Sequence, residues 1–416
     1  MSNKALHHLD IDYVRSCFPT FSEPLAAKTA FFENAGGSYV VGSVIDKLLH
    51  FYRVNKVQPY GEAEILRLAG EQMDAGRQAM LDLLGMPADT ITLGPSTTQN
   101  INTLAHACRP IVDGNSEIIV SEQDHEANIG AWERLCQRSG AKFRLWQVDA
   151  ESGELDVTEL ERMLNPKVRI VAMTHSSNIL GSLNPVEEVV DLCRQNGSRS
   201  VIDGVSFVPH QWPNLSIFQP DVYVFSTYKT YATHLGVMYT ARDFADELEP
   251  QCHYFNQEYP AKHLDAAGPD HASIAALAGL GEYFEQGHLH HFGTRKVSLK
   301  KKAGQLSALM HKHESELCQH LLSGLAELPL RIIGKNTNDW REANVALVSE
   351  KHSSAALSKA LAEKDIAANS GDFYARRLLE KLGVTNKHGG VLRISLAHYN
   401  TREEVERALE VLEAIN

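Results

Sequence analysis

The stretches VRIVAMTHSSN (168–178), RSVIDGVSF (199–207), DVYVFSTYKTY (221–231) and GVMYT (236–240) decide the fold. Each contains a run four to eight residues long, mostly apolar and rich in Val and Ile, and all but the last lead directly into polar residues. Short continuous apolar runs read as parallel strands covered on both faces, because a strand with one wet face would alternate. EIIVS (117–121) has the same character. Between the runs lie ANIGAWERLCQRSG (127–140), VTELERMLN (157–165) and NPVEEVVDLCRQNG (184–197), with apolar residues at helical spacing. Two of these end in Gly, the residue that tolerates the left-handed turn closing a helix. Repeated strand–helix units imply a doubly wound α/β domain with right-handed crossovers.

Outward from this region the texture changes. RKVSLKKKAGQLSALMHKHESEL (295–317) is helical, followed by short strands LRIIG (330–334) and ANVALVS (343–349). A helix SAALSKALAEK (354–364), a strand VLRISL (391–396) and a last helix TREEVERALEVLEAIN (401–416) complete the chain. The expected organisation is an N-terminal segment (1–30) packing on a small domain, a large domain (31–290) and a C-terminal α+β small domain (291–416). Lys300, Lys301 and Lys302 read as a solvated helix face.

Bulk properties narrow the function. With 40 basic against 52 acidic residues the net charge is −12, which disfavours a nucleic-acid groove or an anionic membrane as partner. No run approaches the ~20 apolar residues of a membrane span, and the opening MSNKALHHLDIDYVRS has no signal-peptide core, so a cytoplasmic location is expected. Cys17, Cys108, Cys136, Cys193, Cys252 and Cys318 form no CxxC pair and read as reduced structural thiols. His288, His290 and His291 lack matching ligands nearby; they read as a solvated helix end, and no metal site is expected.

In a doubly wound sheet, ligands sit beyond the carboxyl ends of the strands. Those ends carry Asp203, then Ser226, Tyr228 and Lys229, then Thr174 to Asn178, then Asp124 and His125. ITLG (91–94) leads into Pro95, Ser96, Thr97 and Thr98 ahead of a helical run, a phosphate cradle by its hydroxyls and free amides. Singly these are weak: a strand-end Asp often caps, a Ser-Thr loop usually caps a helix, and a lysine after a strand is usually at the surface. The set is what discriminates. An amine, a carboxylate, an imidazole, an amide and an anion cup suit pyridoxal 5'-phosphate, which needs an amine for a Schiff base and a carboxylate for its pyridine nitrogen.

GPSTTQNIN (94–102), EQDHEANIGAW (122–132), SSNILGSLNP (176–185), VIDGVSFVPH (201–210), FSTYKTY (225–231) and LRISLAHYNT (392–401) occur in an order that resembles the class V aminotransferases. These are fold-type I pyridoxal-phosphate enzymes, and the likeness is to their cysteine desulfurase and selenocysteine lyase branch. It runs from FFENAGGSYV (31–40) to about residue 410. The resemblance implies that Lys229 carries the cofactor and moves the Cα proton, that Asp203 pairs with the pyridinium and that His125 stacks on the ring. It implies that Asn178 reaches the phenolic oxygen, that Thr97, Thr98 and Ser226 hold the phosphate, and that Arg393 binds the substrate α-carboxylate. It also implies a homodimer with active sites at the interface, in which Gly268 and His271 of AAGPDHAS (266–273) reach the other subunit's phosphate.

The chain departs from the pattern at several points. Ser206 stands where the family has Gln, Tyr228 where it has His, and TYATHLG (230–236) lacks the usual Gly-Pro. In the family the persulfide cysteine lies 15 to 20 residues before the arginine. Here NSGDFYARRLLEKLG (369–383) has Tyr374 near that position, and the last cysteine of the chain is Cys318. A phenol cannot accept sulfur as a thiolate does. The reading is therefore a cysteine-independent C–S lyase acting by α,β-elimination on an amino acid, with no iron-sulfur scaffold partner. Amino-acid transamination or epimerisation needs the same core, and a non-catalytic pyridoxal-phosphate-binding regulator is the alternative of another class. His234, Tyr254, Tyr374 and Arg376 are candidate pocket residues, with Tyr374 also a candidate substrate contact.

Overall fold

The computed structural model describes residues 8–266, 268–293, 296–384 and 388–415; residues 1–7 of the expected N-terminal segment lie outside this description. Strand β1 (Ala30–Phe31) precedes a seven-stranded sheet made of β2 (Ile91–Gly94), β3 (Glu117–Ser121), β4 (Lys142–Trp146), β5 (Val168–Thr174), β6 (Arg199–Asp203), β7 (Val222–Ser226) and β8 (Gly236–Thr240). Their order is β2-β8-β7-β6-β5-β3-β4. The pairs from β4 through β7 are parallel, whereas β8 is antiparallel to both β2 and β7. The expectation that GVMYT is another parallel strand is thus corrected. The link between Ser226 and Gly236 is too short for a crossover, which takes a dozen or more residues, so the chain must turn back.

Helices Glu126–Ser139, Val157–Met163 and Val186–Asn196 make the crossovers, the first and last stopped by Gly140 and Gly197 in the left-handed conformation. Strand β7 is buried at every residue, as a strand covered on both faces requires. Strand β4, unmarked by the apolar pattern, is one edge of the sheet, where the exposed Lys142 discourages further pairing.

The second sheet, order β12-β13-β10-β9, is antiparallel and built from β9 (Leu330–Ile333), β10 (Asn344–Ser349), β12 (Asn369–Gly371) and β13 (Val391–Ser395). The intervening β11 (Ile366–Ala367) pairs with β1. A separate apolar cluster that includes Leu321, Val345, Leu357, Leu392 and Val405 forms the core here. His210 Nδ1 meets Glu314 Oε2 at 2.6 Å, and Gln211 donates to Glu342 at 2.8 Å, joining the region after β6 to the second unit.

Two surface expectations change. Lys302 is buried and ion-paired with Glu285, because its helix Leu299–Ala326 turns that face inward. His288 and His291 are buried rather than solvated, and His291 Nε2 accepts from Asp10 N at 3.0 Å. His290 stacks on Tyr13 at 3.8 Å between ring centroids. These histidines therefore receive the N-terminal helix Ile11–Ser16, whose Arg15 pairs with Glu404 at 3.0 Å. Among the described residues no group of three His, Cys, Asp or Glu could hold a metal, and no helix is long and apolar enough to cross a membrane.

Candidate active site

The carboxyl end of the large sheet gathers the chemistry. Lys229 ends a single 3-10 turn, Thr227–Lys229, that follows β7 directly. Thr227 holds this turn, its hydroxyl donating to the Leu235 carbonyl at 3.2 Å. Lys229 is 9% exposed. Burial, reinforced by the Arg393 guanidinium, lowers its ammonium to about 8 even though Asp203 and Glu33 pull the other way. An amine so depressed is a usable nucleophile near neutrality.

Asp203 closes β6, the neighbouring strand, and accepts from the Val205 amide at 2.9 Å. Burial pushes its carboxyl up to about 6 against the opposing pull of that amide and of Lys229. A cation placed beside it would restore its charge.

His125 caps helix Glu126–Ser139, its Nδ1 accepting from the Ala127 amide at 3.0 Å. Burial, then the positive charge of Lys229 and Arg393, lowers the imidazole to about 4, so the ring is neutral in the working range. Asp124 positions this turn by accepting from Asn128 Nδ2 at 2.7 Å and Thr174 N at 3.0 Å. It is a buried structural hub.

The proposed phosphate loop is a helix start. Ser96 caps helix Thr97–Ala107 by accepting from Gln99 N at 3.1 Å, and the Thr97 hydroxyl lies 2.7 Å from that of Ser226. Thr98 is exposed on the first turn. Gly236 makes the approach possible: a Cβ there would come within 2.5 Å of Thr97 N. Unpaired amides at the start of an eleven-residue helix attract an anion.

Arg393 enters from β13 of the second sheet. Its Nη1 donates to the Asn178 carbonyl at 3.2 Å, its Nη2 pairs with Glu33 Oε1 at 2.7 Å, and its Cζ lies 3.8 Å from the centroid of the Phe373 ring. Asn178 Nδ2 donates to the Phe373 carbonyl at 2.9 Å. Phe373 and Tyr374 both hold positive φ, 47° and 58°, which bulky residues adopt only at a cost. This turn sets Phe373 against Arg393 and the Tyr374 ring 5.0 Å from His125.

Other candidates are more scattered. Ser206 lines one small cavity with Lys229, Ser177 and Asn34. Tyr228 stacks on His234, their planes 4° apart and centroids at 4.3 Å. Tyr254 is 83% exposed, and Arg376 is paired with Glu380 on the surface. Gly268 is exposed and His271 opens helix His271–Phe292; among the described residues no hydrogen bond or ring contact joins either to Lys229, Asp203 or Thr97. Sequence reading missed Glu33 and Phe373. Glu33 had a signal, its place in the FFENAGGS stretch, but nothing marked it as a partner of Arg393, 360 residues away.

The family model for aminotransferase class-V matches residues 30–408. The chain is 29% identical over 417 residues to the aminotransferase-like protein FGM3 of Gibberella zeae, covering 97% of this chain and 98% of that one. It is also 29% identical over 421 residues to the probable cysteine desulfurase 1 of Mycobacterium leprae, covering 98% of this chain but only 65% of that longer protein. A cysteine desulfurase of Thermococcus onnurineus NA1 superposes with a TM-score of 0.86 at 22% identity, over 100% of this chain and 99% of that one, which establishes the shared fold. A match over nearly the whole chain, on a fold of this kind, makes the protein a member of the class V aminotransferases, a family of pyridoxal-phosphate-dependent enzymes.

Proposed function

We propose that this chain binds pyridoxal phosphate on Lys229 and uses it to eliminate a sulfur leaving group from the β-carbon of an amino acid. The residues present fit the cofactor. A depressed buried lysine, a buried carboxylate one strand away and a hydroxyl-rich helix start are all at hand. Among the described residues Asn178 Oδ1 is buried without a hydrogen-bond partner, an acceptor left free beside the site. Thr97, Thr98 and Ser226 would hold the phosphate, Asp203 the pyridine nitrogen, Asn178 the phenolic oxygen, and His125 would face the ring. When bound, the cofactor supplies an electron sink for the pair left when the Cα–H bond breaks.

The chain's own residues do the rest. Arg393 binds the substrate carboxylate and fixes which face of Cα is presented. Lys229 would accept the Cα proton on its amine. Asp203 would hold the ring nitrogen of the bound cofactor in its protonated form and so stabilise developing negative charge. The Cβ–S bond then breaks with its electron pair leaving on sulfur, and water releases the remainder as pyruvate and ammonia.

What supports elimination over sulfur transfer is the composition of the loop at Arg393. The turn at Gly371–Ala375 offers Phe373 and Tyr374 and no thiol. Cys318, the sole cysteine after residue 252, is buried among apolar residues, and that burial raises its thiol to about 11. Two copies would form the working enzyme, with Gly268 and His271 reaching the partner's phosphate. Transamination is a second reading, favoured by the aminotransferase-like relative in Gibberella zeae. The deciding experiment follows products from cystine, cysteine conjugates and common amino acids. Elimination yields pyruvate and ammonia with no acceptor; a reaction that runs only when a keto acid is added is transamination, and alanine from cysteine means desulfuration.

A further inference from the structure

One edge of the Arg393 guanidinium is half occupied. Nη1 donates to the Asn178 carbonyl at 3.2 Å and Nη2 is taken by Glu33 Oε1 at 2.7 Å, while Nε, beside Nη2, is buried with no hydrogen-bond partner among the described residues. A carboxylate gripping the guanidinium in two-pronged fashion would satisfy a pair of these donors at once. Glu33 satisfies one. Its other oxygen accepts from the Asn369 amide at 3.2 Å, which stretches the carboxylate between β12 and the arginine. Gly36 leaves the room for it: a Cβ there would sit 2.5 Å from Glu33 Oε1. The Glu33 side chain keeps 18% of its exposure, whereas that of Arg393 keeps 3%, so the acid has solvent to move into and the base does not.

We propose that Glu33 is a specificity-determining place-holder, a carboxylate of the protein that occupies Arg393 until the substrate's own carboxylate displaces it. This rests on the reading of Arg393 as the substrate-carboxylate site. It keeps the buried guanidinium partnered between turnovers, since an unpaired buried charge is costly. It also sets a threshold. A simple acid must compete with Glu33 on carboxylate contacts alone, whereas an amino acid has its amine as a second anchor near Lys229. Glu33 thereby screens the site against free carboxylic acids.

The test is calorimetric titration of the holoenzyme with propionate, an acid without an amine. Glu33→Gln removes the competing charge, and Gly36→Ala pushes the same carboxylate aside without changing it. Each should tighten propionate by about tenfold, and Arg393→Gln should abolish binding. If Arg393→Gln abolishes binding but neither other variant tightens it, Glu33 is a structural partner and the inference is overturned. If Arg393→Gln binds propionate as the wild type does, the assignment of Arg393 itself fails. Should Glu33→Gln not fold, Gly36→Ala alone decides between these outcomes.

Discussion

The hydroxyls of Thr97 and Ser226 lie 2.7 Å apart, joining the first turn of a helix to the last residue of the strand that leads into the Lys229 turn. This contact ties the start of that helix to the segment leading into the Lys229 turn, and both hydroxyls belong to the proposed phosphate site. On the proposed phosphate site, Ser226→Ala would remove one donor to a doubly charged group, a loss of about 1.5–3 kcal/mol. The expected result is a cofactor dissociation constant raised on the order of 10- to 100-fold, by the rule of about 1.4 kcal/mol per factor of ten. Equilibrium dialysis of the apoenzyme measures it. An unchanged constant would place the phosphate elsewhere.

The proposal that Lys229 carries the cofactor makes cofactor uptake pH-dependent. Because its ammonium is lowered to about 8, the neutral amine that can condense with an aldehyde is the minority below that pH and the majority above it. Uptake of cofactor by the apoenzyme should therefore speed up as pH rises through about 8, instead of near the value of about 10.4 for a free lysine. The visible band that develops should be missing from Lys229→Ala at any pH. Uptake in the wild type that is flat between pH 7 and 9 contradicts the depressed amine.

Asp203→Asn conserves volume but cannot hold a charge against the ring nitrogen. Several kcal/mol of transition-state stabilisation would go with it, so turnover should fall by several orders of magnitude. The buried carboxyl, held up near 6 in the free chain, should return to the ordinary carboxylate range when the cationic ring binds. A variant that turns over at near wild-type rate means Asp203 is only a strand-end cap for Val205.

Four residues and one strand show how much of the fold and site was written in the sequence. Asp203 and Lys229 were legible because a buried parallel strand delivers its next residue to a known edge of the sheet. The direction of GVMYT was not legible from its composition, since an apolar run is equally buried either way up; only the short link before it held the answer. Glu33 was illegible for a different reason. Its role depends on β1 pairing with β11 and on β13 lying beside it, contacts set by packing over more than 300 residues of chain. The inward turn of Lys302 was hidden likewise, because a three-lysine run looks solvated until its helix meets Glu285.

Phe373 supports Arg393 from below, and its own backbone is held at φ 47°. Phe373→Ala should loosen the guanidinium, removing a cation–π contact of about 0.5–2 kcal/mol. On the proposal that this arginine binds the substrate carboxylate, KM should rise several-fold with a smaller change in kcat. Equal losses in kcat and kcat/KM, with KM unmoved, would assign the ring to the chemical step instead.

The sulfur prediction separates this chain from the desulfurases among its relatives. Persulfide storage needs a thiolate within reach of the departing sulfur, and Tyr374 at the site mouth is a phenol, 70% exposed. Cys318 sits in the core of the second sheet with its thiol raised to about 11, so at neutral pH it is protonated and shielded. Cys318→Ala should therefore leave pyruvate release unchanged. Its effect should be confined to packing, on the order of 1 kcal/mol for one small buried group. That cost would show as a modest fall in melting temperature. Intact-protein mass spectrometry after incubation with cysteine or cystine should find no added sulfur that reduction removes. A gain of one sulfur atom on any of the six cysteines, accompanied by alanine, would overturn the elimination reading and restore sulfur transfer by another route.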